Sequence, residues 1–463
     1  VPPDPPSREA FSHSESFDAL GQRSAVAYPV CLTGVPDSHC SASQPARTAT
    51  SAYVRGFLNT VTDAGFNWVT GTTYHRSGLW NTMSRGNGVT ETQLHEDLQI
   101  PRPKSIEAKF GLTTTLWKSG TMAYDRSGNL TRMQTNEEGG SDLYLYDKVS
   151  RLKQAQVHVP AALGDLVFAD GFESGASERW LDSFPPVGWV AGMKTQNFTF
   201  DRFGNLTRVM TTGEPTEEFP TSQSSNRMLN NGTQTYHSTY DDRGNLIEFD
   251  GTLNGFDSLN RQWKRQSPDG SAQFYLYTAD DERLMTTFSS GGVSFRWTLR
   301  DFGGKVLRVY ENAGTGSNVT AVRDYIHAGE RILGSEDPRN PADTRMLATV
   351  DHLGTPRLWT DSSGNPLRKH KYFPFGKEAT PSDQWSIALQ FTGHERDPND
   401  LSMADEDGDY MHARFGSPAA GRLLSIDMGP TRLKSPQSWN RFAYVLGNPM
   451  TMKDPSGETV SLA

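Results

Sequence analysis

Short runs in which apolar and polar residues alternate recur along the chain, separated by turn-forming residues. The runs that begin at Leu130, Leu206 and Leu246 have the sequences LTRM, LTRVM and LIEF. Alternation with a period of two gives a strand one apolar face and one polar face. The pattern therefore predicts many short β-strands.

A common turn motif precedes each of these runs. It consists of an aromatic residue, an aspartate, two linker residues and a Gly-Asn pair. The aspartate is suited to bond nearby backbone groups in an Asx-type turn, and the glycine supplies the positive φ of a tight hairpin. The predicted turn residues are Asp125 with Gly128, Asp201 with Gly204, and Asp241 with Gly244.

The motif is an internal repeat. Clear copies begin at Tyr124, Tyr146, Phe200, Tyr240 and Phe256, and weaker copies begin at Tyr277, Arg300 and Asp351. A single hairpin cannot bury its apolar face, and stacking against neighbouring hairpins solves that problem. The sequence therefore predicts a sheet of stacked β-hairpins.

Composition agrees with a folded β-protein. Of the 463 residues 35% are hydrophobic and 10% aromatic, and this aromatic content argues against disorder. The net charge of −9 leaves no basic domain of the kind that nucleic-acid binding needs. No apolar window is long enough for a transmembrane helix. The opening VPPDPPSREAF shows no signal peptide and no initial Met, so we expect a fragment or a processed product.

Other chemical motifs are sparse. The two cysteines, Cys31 and Cys40, are open to two interpretations: a short disulfide-closed loop, or two unrelated thiols. No nucleotide-binding glycine loop, zinc-type spacing, HExxH or GxSxG is present, so we expect no cofactor and no metal. Carboxylates in residues 160–184, such as Asp170, are expected to lie in a solvated insert, with calcium binding as the alternative.

The most specific signal lies at the C-terminal end. From Phe391 the chain has the sequence FTGHERDPNDLSMADEDGDYMHARFGSPAAGRLLSIDMGPTRLKSPQSWNRFAYVLGNPMTMKDPSG. This segment closely resembles the repeat-associated core of the Rhs/YD-repeat family. The turn motifs are similar to the YD repeats of Rhs proteins, teneurins and the C components of insecticidal toxin complexes. The resemblance implies an all-β fold, in which a YD-repeat hairpin spiral forms a partial hollow, cocoon-like shell closed by a C-terminal core domain.

The repeats and the core signature imply a division of the chain. Residues 1–107 are expected to form an untyped β-rich region. Residues 108–345 form the repeat shell, with an insert near 160–190, and residues 346–458 form the core domain. Residues 459–463 begin the variable C-terminal region, whose cargo is not in this chain.

The resemblance also implies an aspartyl autoprotease. The elements GRLLSIDMG and GNPMTMKDPSGE place Asp427 and Asp454 on the family's two catalytic aspartates, with cleavage between Glu458 and Thr459. Two carboxylates in a desolvated site cannot both ionise comfortably, so one remains protonated and serves as the acid. Spacing alone does not predict this pair, because the two residues are far apart in sequence.

Other residues of the core segment have expected roles beside the pair. Arg414 and Arg422 are expected to orient or charge-balance the carboxylates, with a purely structural role as the alternative. The run Trp439–Val445 is predicted to be a buried strand that returns the chain on itself. The sequence departs from the family pattern at Met428, where Pro is usual, and at Glu458, where Leu is usual.

The function implied is a shell segment of a bacterial Rhs polymorphic toxin. It would encapsulate a C-terminal toxin domain and release it by self-cleavage after the DPSG motif. The expected partners are the toxin cargo and an immunity protein or secretion-system component, and the expected location is secreted or at the cell surface. The alternatives are a YD-repeat protein for cell adhesion or carbohydrate binding, without proteolytic activity, and a degenerate relic.

Overall fold

The computed structural model describes residues 10–33, 39–41, 44–63, 65–96, 101–111, 113–134, 141–159, 192–289, 294–312, 318–380, 388–397, 408–429 and 436–462. Over these residues the chain consists of short antiparallel strands with one single-turn helix, α1 (Pro341–Thr344). The predicted all-β fold is confirmed. The insert predicted near 160–190 lies outside the described residues.

The strands of the first half of the chain are short, and none of them is longer than nine residues. Those before Ser119 are β1 (Phe11–Phe17), β2 (Arg23–Cys31), β3 (Thr48–Val54), β4 (Phe57–Asp63), β5 (Phe66–Val69), β6 (Gly71–Tyr74), β7 (Trp80–Ser84), β8 (Val89–His95), β9 (Pro103–Phe110) and β10 (Thr114–Lys118). They are followed by β11 (Thr121–Tyr124), β12 (Leu130–Gln134), β13 (Asp142–Tyr146), β14 (Leu152–Val159), β15 (Gly192–Phe200), β16 (Leu206–Thr211) and β17 (Glu217–Glu218).

The second half continues in the same way. The next strands are β18 (Ser238–Tyr240), β19 (Leu246–Phe249), β20 (Thr252–Phe256), β21 (Gln262–Gln266), β22 (Ala272–Tyr277), β23 (Arg283–Phe288), β24 (Ser294–Arg300), β25 (Val306–Asn312), β26 (Thr320–Ala328), β27 (Arg331–Glu336), β28 (Met346–Val350), β29 (Pro356–Asp361) and β30 (Pro366–Lys369). The last are β31 (Glu395–Asp397), β32 (Gly408–Met411), β33 (Arg414–Ser417), β34 (Arg422–Leu423), β35 (Met452–Lys453) and β36 (Ser461–Leu462).

The chain divides into two compact units, each built from separate stretches of sequence. The described residues of the first unit are those up to Lys118 together with Gln273–Lys369; the second takes in the described parts of 119–159 and 192–272 together with 370–462. Within each sheet, strands that follow each other in sequence pair antiparallel. The sequential division into residues 1–107, 108–345 and 346–458 stays a prediction.

The first unit has a core between its N-terminal strands and β26–β28. Trp68 and Val61 are fully buried against Ile326, Leu333 and Leu347. Gly334 allows this packing, since a Cβ there would lie 2.2 Å from the Met346 carbonyl oxygen and 2.5 Å from the Trp68 ring. The N-terminal strands thus share a hydrophobic core with strands that lie between the repeat copies at Arg300 and Asp351.

The two cysteines are joined. Cys31 and Cys40 form a disulfide with a Cα–Cα distance of 5.6 Å. Cys31 is buried at the end of β2 beside Trp297 and Tyr310. The bridge therefore ties the loop after β2 to the core of the first unit.

The repeat turns share one hydrogen-bond pattern. In the first turn the Asp125 Oδ1 atom accepts the backbone N–H groups of Ser127 at 2.8 Å and Asn129 at 2.9 Å. The Gly128 N–H donates to the Asp125 carbonyl at 3.1 Å, and Gly128 has a φ of +88°. The turn at Asp201–Gly204 repeats this arrangement, and the turn at Asp241–Gly244 repeats its bonds from the Asn N–H and the Gly N–H. Each turn therefore satisfies its own backbone groups locally.

A further copy of the turn lies near the N-terminus, where the sequence analysis found no repeat. In the segment FDALGQ, Asp18 Oδ1 accepts the N–H groups of Leu20 and Gln22, and the Gly21 N–H donates to the Asp18 carbonyl. Gln22 replaces the Asn of the motif, which concealed the match. The aromatic-Asp-x-x-Gly core of this segment is the signal that could have identified the turn from the sequence.

The run Trp439–Val445 does not form the predicted strand. Pro436–Trp439 and Tyr444–Gly447 are 3-10 turns, and Trp439 is 54% exposed. The Asn440 side chain accepts the Phe442 N–H at 3.1 Å, which holds the backbone in a local turn. Such side-chain bonds compete with ladder pairing, so the apolar pattern of this run misled the prediction.

We expect Gly334→Ala to lower the free energy of unfolding by about 1–3 kcal/mol, because the new methyl group would meet the Met346 carbonyl and Trp68. The measurement is urea unfolding followed by tryptophan fluorescence. Gly71→Ala is the matched control, since Gly71 also lies in a strand and a Cβ there has nothing within 4 Å. Equal midpoints for the two variants would contradict the packing described.

Candidate active site

Asp454 opens the loop that joins β35 to β36. The two strands pair through Met452 with Leu462 and Lys453 with Ser461, so they close the loop at its base. Asp454 is buried, and its Oδ1 atom accepts the backbone N–H of Thr459 at 2.9 Å. The carboxyl group therefore lies at the nitrogen of the Glu458–Thr459 peptide bond. Glu458 and Thr459 themselves are exposed.

A glycine allows this loop to lie close to the β32–β33 hairpin. Gly457 has a φ of +77°, and a Cβ there would lie 2.3 Å from the Met411 carbonyl oxygen and 3.0 Å from the Arg414 nitrogen. The Ala413 N–H donates to the Ser456 carbonyl at 3.1 Å. The loop therefore holds its shape through backbone contacts with the hairpin that carries Arg414.

Asp427 is held by backbone contacts on both sides. Its N–H donates to the Arg441 carbonyl at 3.0 Å, and the Arg441 guanidinium donates to the Asp427 carbonyl at 3.1 Å. The Gly429 N–H donates to Asp427 Oδ1 at 2.7 Å. The side chain remains 27% exposed, so it retains contact with water.

Arg414 brings the two aspartates together. Its Nη2 atom lies 3.3 Å from Asp427 Oδ2 and 3.6 Å from Asp454 Oδ2. Its Nε donates to the Gly457 carbonyl, and its Nη1 donates to the Arg441 carbonyl at 3.2 Å. One buried guanidinium thus contacts both carboxylates, the loop that contains the Glu458–Thr459 bond, and the segment that supports Asp427.

Burial changes the protonation of this group of side chains. Desolvation raises the pKa of Asp454 above its ordinary value, although the Arg414 charge and backbone N–H groups, including that of Thr459, act in the opposite direction. Desolvation also lowers the pKa of Arg414, and the charges of Asp427, Asp454 and Glu458 oppose that change. Burial therefore makes the carboxyl of Asp454 easier to protonate than that of an exposed aspartate.

His394 contacts the same loop from another element. Its Nε2 atom lies 3.0 Å from the Asp454 carbonyl oxygen, and the residue is buried. A carbonyl oxygen can only accept, so Nε2 carries the hydrogen in this contact. His394 therefore supports the backbone of Asp454 and lies beside its main chain.

Arg422 has other partners. Its Nη2 donates to the Asn226 carbonyl at 2.8 Å, and its guanidinium lies 4.6 Å from the centre of the Phe442 ring. The structure therefore places Arg414 at the aspartate pair and Arg422 against Phe442. Sequence reasoning missed Arg441 and Gly457, whose roles depend on main-chain atoms and give no side-chain signature.

The C-terminal segment that carries the site contacts the repeat turns of the second unit. The Asn440 side chain donates to Asn205 Oδ1 at 2.8 Å, and the Asn448 side chain donates to Asn129 Oδ1 at 2.8 Å. The Leu246 N–H donates to the Leu424 carbonyl at 2.8 Å. These contacts place the supports of both aspartates on the repeat sheet.

Two further observations concern metal binding and membrane-spanning helices. Within the described ranges no group of three or more His, Cys, Asp or Glu side chains is placed to hold a metal ion. The helical part of the described structure includes nothing long and apolar enough to cross a membrane.

Comparison with solved structures reveals a close likeness of fold. The TcdB2-TccC3-Cdc42 complex matches with a TM-score of 0.73 at 18% identity, covering 96% of this chain and 21% of that one. The Photorhabdus luminescens Tc holotoxin pore, which carries an aspartate-to-alanine substitution in TccC3, matches with a TM-score of 0.73 at 18% identity over 97% of this chain and 21% of that one. The chain has the fold of these toxin-complex proteins.

Comparison with curated proteins finds a distant likeness to two tRNA nucleases of Bacillus species. The tRNA3(Ser)-specific nuclease WapA of Bacillus spizizenii is 24% identical over 274 residues, which cover 57% of this chain and 11% of the nuclease. The tRNA nuclease WapA of Bacillus subtilis matches over the same length at 24% identity. The chain therefore spans about a tenth of these relatives and about a fifth of the toxin-complex chains. No family model matches.

We expect Asp454→Asn to unfold at a higher urea concentration than the wild type at pH 7. A carboxyl whose pKa is raised by folding binds its proton more tightly in the folded state, so the wild type loses stability as pH rises from the unfolded to the folded pKa. Asparagine keeps the acceptor for Thr459 without this loss. The measurement is urea unfolding at pH 7 and about pH 3, on chains of verified intact mass.

At the lower pH the carboxyl is neutral in both states, so the difference between the two proteins should vanish. Asp427→Asn serves as the control, since that side chain is more exposed to water. A lower midpoint for Asp454→Asn at pH 7 would show that the charge of Asp454 stabilises the fold.

Proposed function

We propose that this chain is a shell segment of an Rhs-type polymorphic toxin that encloses a C-terminal toxin domain and cuts its own peptide bond between Glu458 and Thr459. The observation that carries the proposal is the contact of Asp454 Oδ1 with the Thr459 nitrogen, beside an arginine shared with Asp427. The fold of the TcdB2-TccC3 chains and the likeness to the WapA nucleases support the shell and its toxin context.

The two aspartates have different surroundings, and this difference supports a different role for each. Asp427 is open to water and acts as the general base that removes a proton from a water molecule. Asp454 is buried with a raised pKa and acts as the general acid at the leaving nitrogen of Thr459. Each group thus has the environment that its step requires.

The cleavage step balances as a hydrolysis. The water oxygen adds to the carbonyl carbon of Glu458 while Asp427 takes a water proton. The C–N bond then breaks, and Asp454 delivers its proton to the Thr459 nitrogen. The products are a carboxyl group on Glu458 and an amine on Thr459. Arg414 keeps its charge beside both carboxylates and fixes the loop through the Gly457 carbonyl.

The partners follow from this role. The cargo is a toxin domain that continues beyond Thr459, and an immunity protein or secretion-system component accompanies it. The protein acts when secreted or at the cell surface. An adhesive YD-repeat protein would need neither the shared guanidinium nor the carboxyl group at Thr459.

The direct test is the intact mass of the chain fused after Ala463 to a small reporter protein. We expect the wild type to yield a product that ends at Glu458, and Asp427→Asn and Asp454→Asn to remain uncut. Arg422→Gln is the matched control, because Arg422 contacts Asn226 and Phe442 and should leave cleavage intact. An uncut wild type would remove the proteolytic claim and leave the adhesive shell as the better account.

The pH dependence of cleavage tests the assignment of the acid. The general-acid role requires protonated Asp454, so the rate should fall as pH rises through the raised pKa of that group. The measurement is the cleaved fraction against time in cell-free synthesis at several pH values between about 5 and 8. A rate that increases steadily with pH would contradict the role of Asp454 as acid.

A further inference from the structure

Three repeat turns of the second unit carry a buried asparagine at the same position, and these asparagines differ in one contact. Asn129, Asn205 and Asn245 are all buried, and each donates from Nδ2 to the aspartate that opens its own turn at 2.8 Å. Each also donates to a neighbouring turn, through Ser150, Asn226 and Asn260 respectively. These contacts link the turns to one another.

The difference lies at the side-chain oxygen. Asn129 Oδ1 accepts from Asn448 and Asn205 Oδ1 accepts from Asn440, both at 2.8 Å. Asn245 Oδ1 is also buried but accepts no hydrogen bond from the described part of the chain. Two of the three turns therefore bond to the C-terminal segment through the asparagine side chain, while the third bonds to it through the backbone N–H of Leu246.

Asn440 and Asn448, the C-terminal partners in these two bonds, adjoin the supports of the aspartate pair. Asn440 precedes Arg441, whose carbonyl accepts from both Asp427 and Arg414. The Asn448 carbonyl accepts the Met452 N–H at 3.1 Å, at the start of the strand that leads to Asp454. Each of these two asparagines is therefore connected to a carboxylate of the pair through a short series of contacts.

The segment between Asn440 and Asn448 has a strained backbone. Val445 and Leu446 have φ values of +42° and +56°, in the left-handed region that β-branched and bulky residues rarely adopt. Such residues persist only where their surroundings fix them, and Asn440 and Asn448 lie on either side of them. The conformation of this segment thus depends on contacts outside it.

We propose that Asn129 and Asn205 are positioning residues for the aspartate pair, so that self-cleavage requires the repeat turns to be folded first. The inference rests on the proposed self-cleavage, and it assigns to that site a control by the upstream repeats. A shift of the Arg441 carbonyl or of β35 moves one carboxylate relative to the other. Reacting groups tolerate little displacement, so the loss of either the Asn129–Asn448 or the Asn205–Asn440 bond slows the reaction.

The test compares the cleavage rates of Asn129→Ala, Asn205→Ala and Asn245→Ala in the reporter fusion, by pulse-chase in cell-free synthesis. We expect the first two to cleave about tenfold or more slowly than the wild type, since a displacement of about 1 Å can cost about a hundredfold. Asn245→Ala removes equivalent hydrogen bonds within the repeats but no side-chain bond to the C-terminal segment, so it should cleave at nearly the wild-type rate. Equal slowing of all three variants would overturn the inference.

A double-mutant cycle separates the contact from general destabilisation. Asn205→Ala and Asn440→Ala together should slow cleavage by clearly less than the product of the two single losses, because both remove the contact that the two side chains share. A double variant whose losses multiply would mean that the two side chains act independently, which contradicts the inference.

If the wild type does not cleave, the proposed function fails and the positioning role is judged by hydrogen exchange. The Thr459 amide is bonded to Asp454, so its exchange reports the position of the loop. Faster exchange in Asn129→Ala and Asn205→Ala than in Asn245→Ala would retain the positioning role. Equal exchange in the three variants would overturn it.

Discussion

The structure of the second unit depends on the burial of one asparagine side chain in each of three repeat turns, at Asn129, Asn205 and Asn245. A buried amide has two donors and an acceptor that need partners, and an unmatched group costs about 1–3 kcal/mol. The donors bond to the aspartate of the same turn and to a neighbouring turn. At two turns the acceptor bonds to the C-terminal segment. The same polar group therefore joins a turn to itself, to its neighbour and to the part of the chain that carries the aspartate pair.

The aspartate pair illustrates how burial and one cation divide the properties of two identical side chains. Arg414 contacts both carboxylates, yet only Asp427 retains substantial contact with water. The desolvation of Asp454 outweighs the attraction of the Arg414 charge, so folding raises the pKa of this carboxyl. The difference in chemistry thus arises from position and solvent access.

The strands and turns could be predicted from the sequence because they depend on local chemistry. Asp125 and Gly128 determine their turn within a few residues, and the alternation after Leu130 determines the strand. The proximity of Asp427 and Asp454 depends on how the fold brings distant parts of the chain together. It was therefore predicted only from the family resemblance. The Trp439–Val445 prediction failed because the bond of Asn440 to the Phe442 N–H outweighed the apolar pattern. The Arg441 support could not be predicted, since a backbone carbonyl carries no sequence signal.

The pairing of β35 with β36 spans the bond that the proposed reaction would cut. Lys453 and Met452 lie before that bond, while their partners Ser461 and Leu462 lie after it. Hydrolysis would therefore leave the new N-terminal end still bound to the body of the protein by a short, two-stranded ladder. Pairing of this length is marginal in water. Departure of the downstream fragment would then be a separate dissociation step, whose rate depends on strand separation rather than on catalysis.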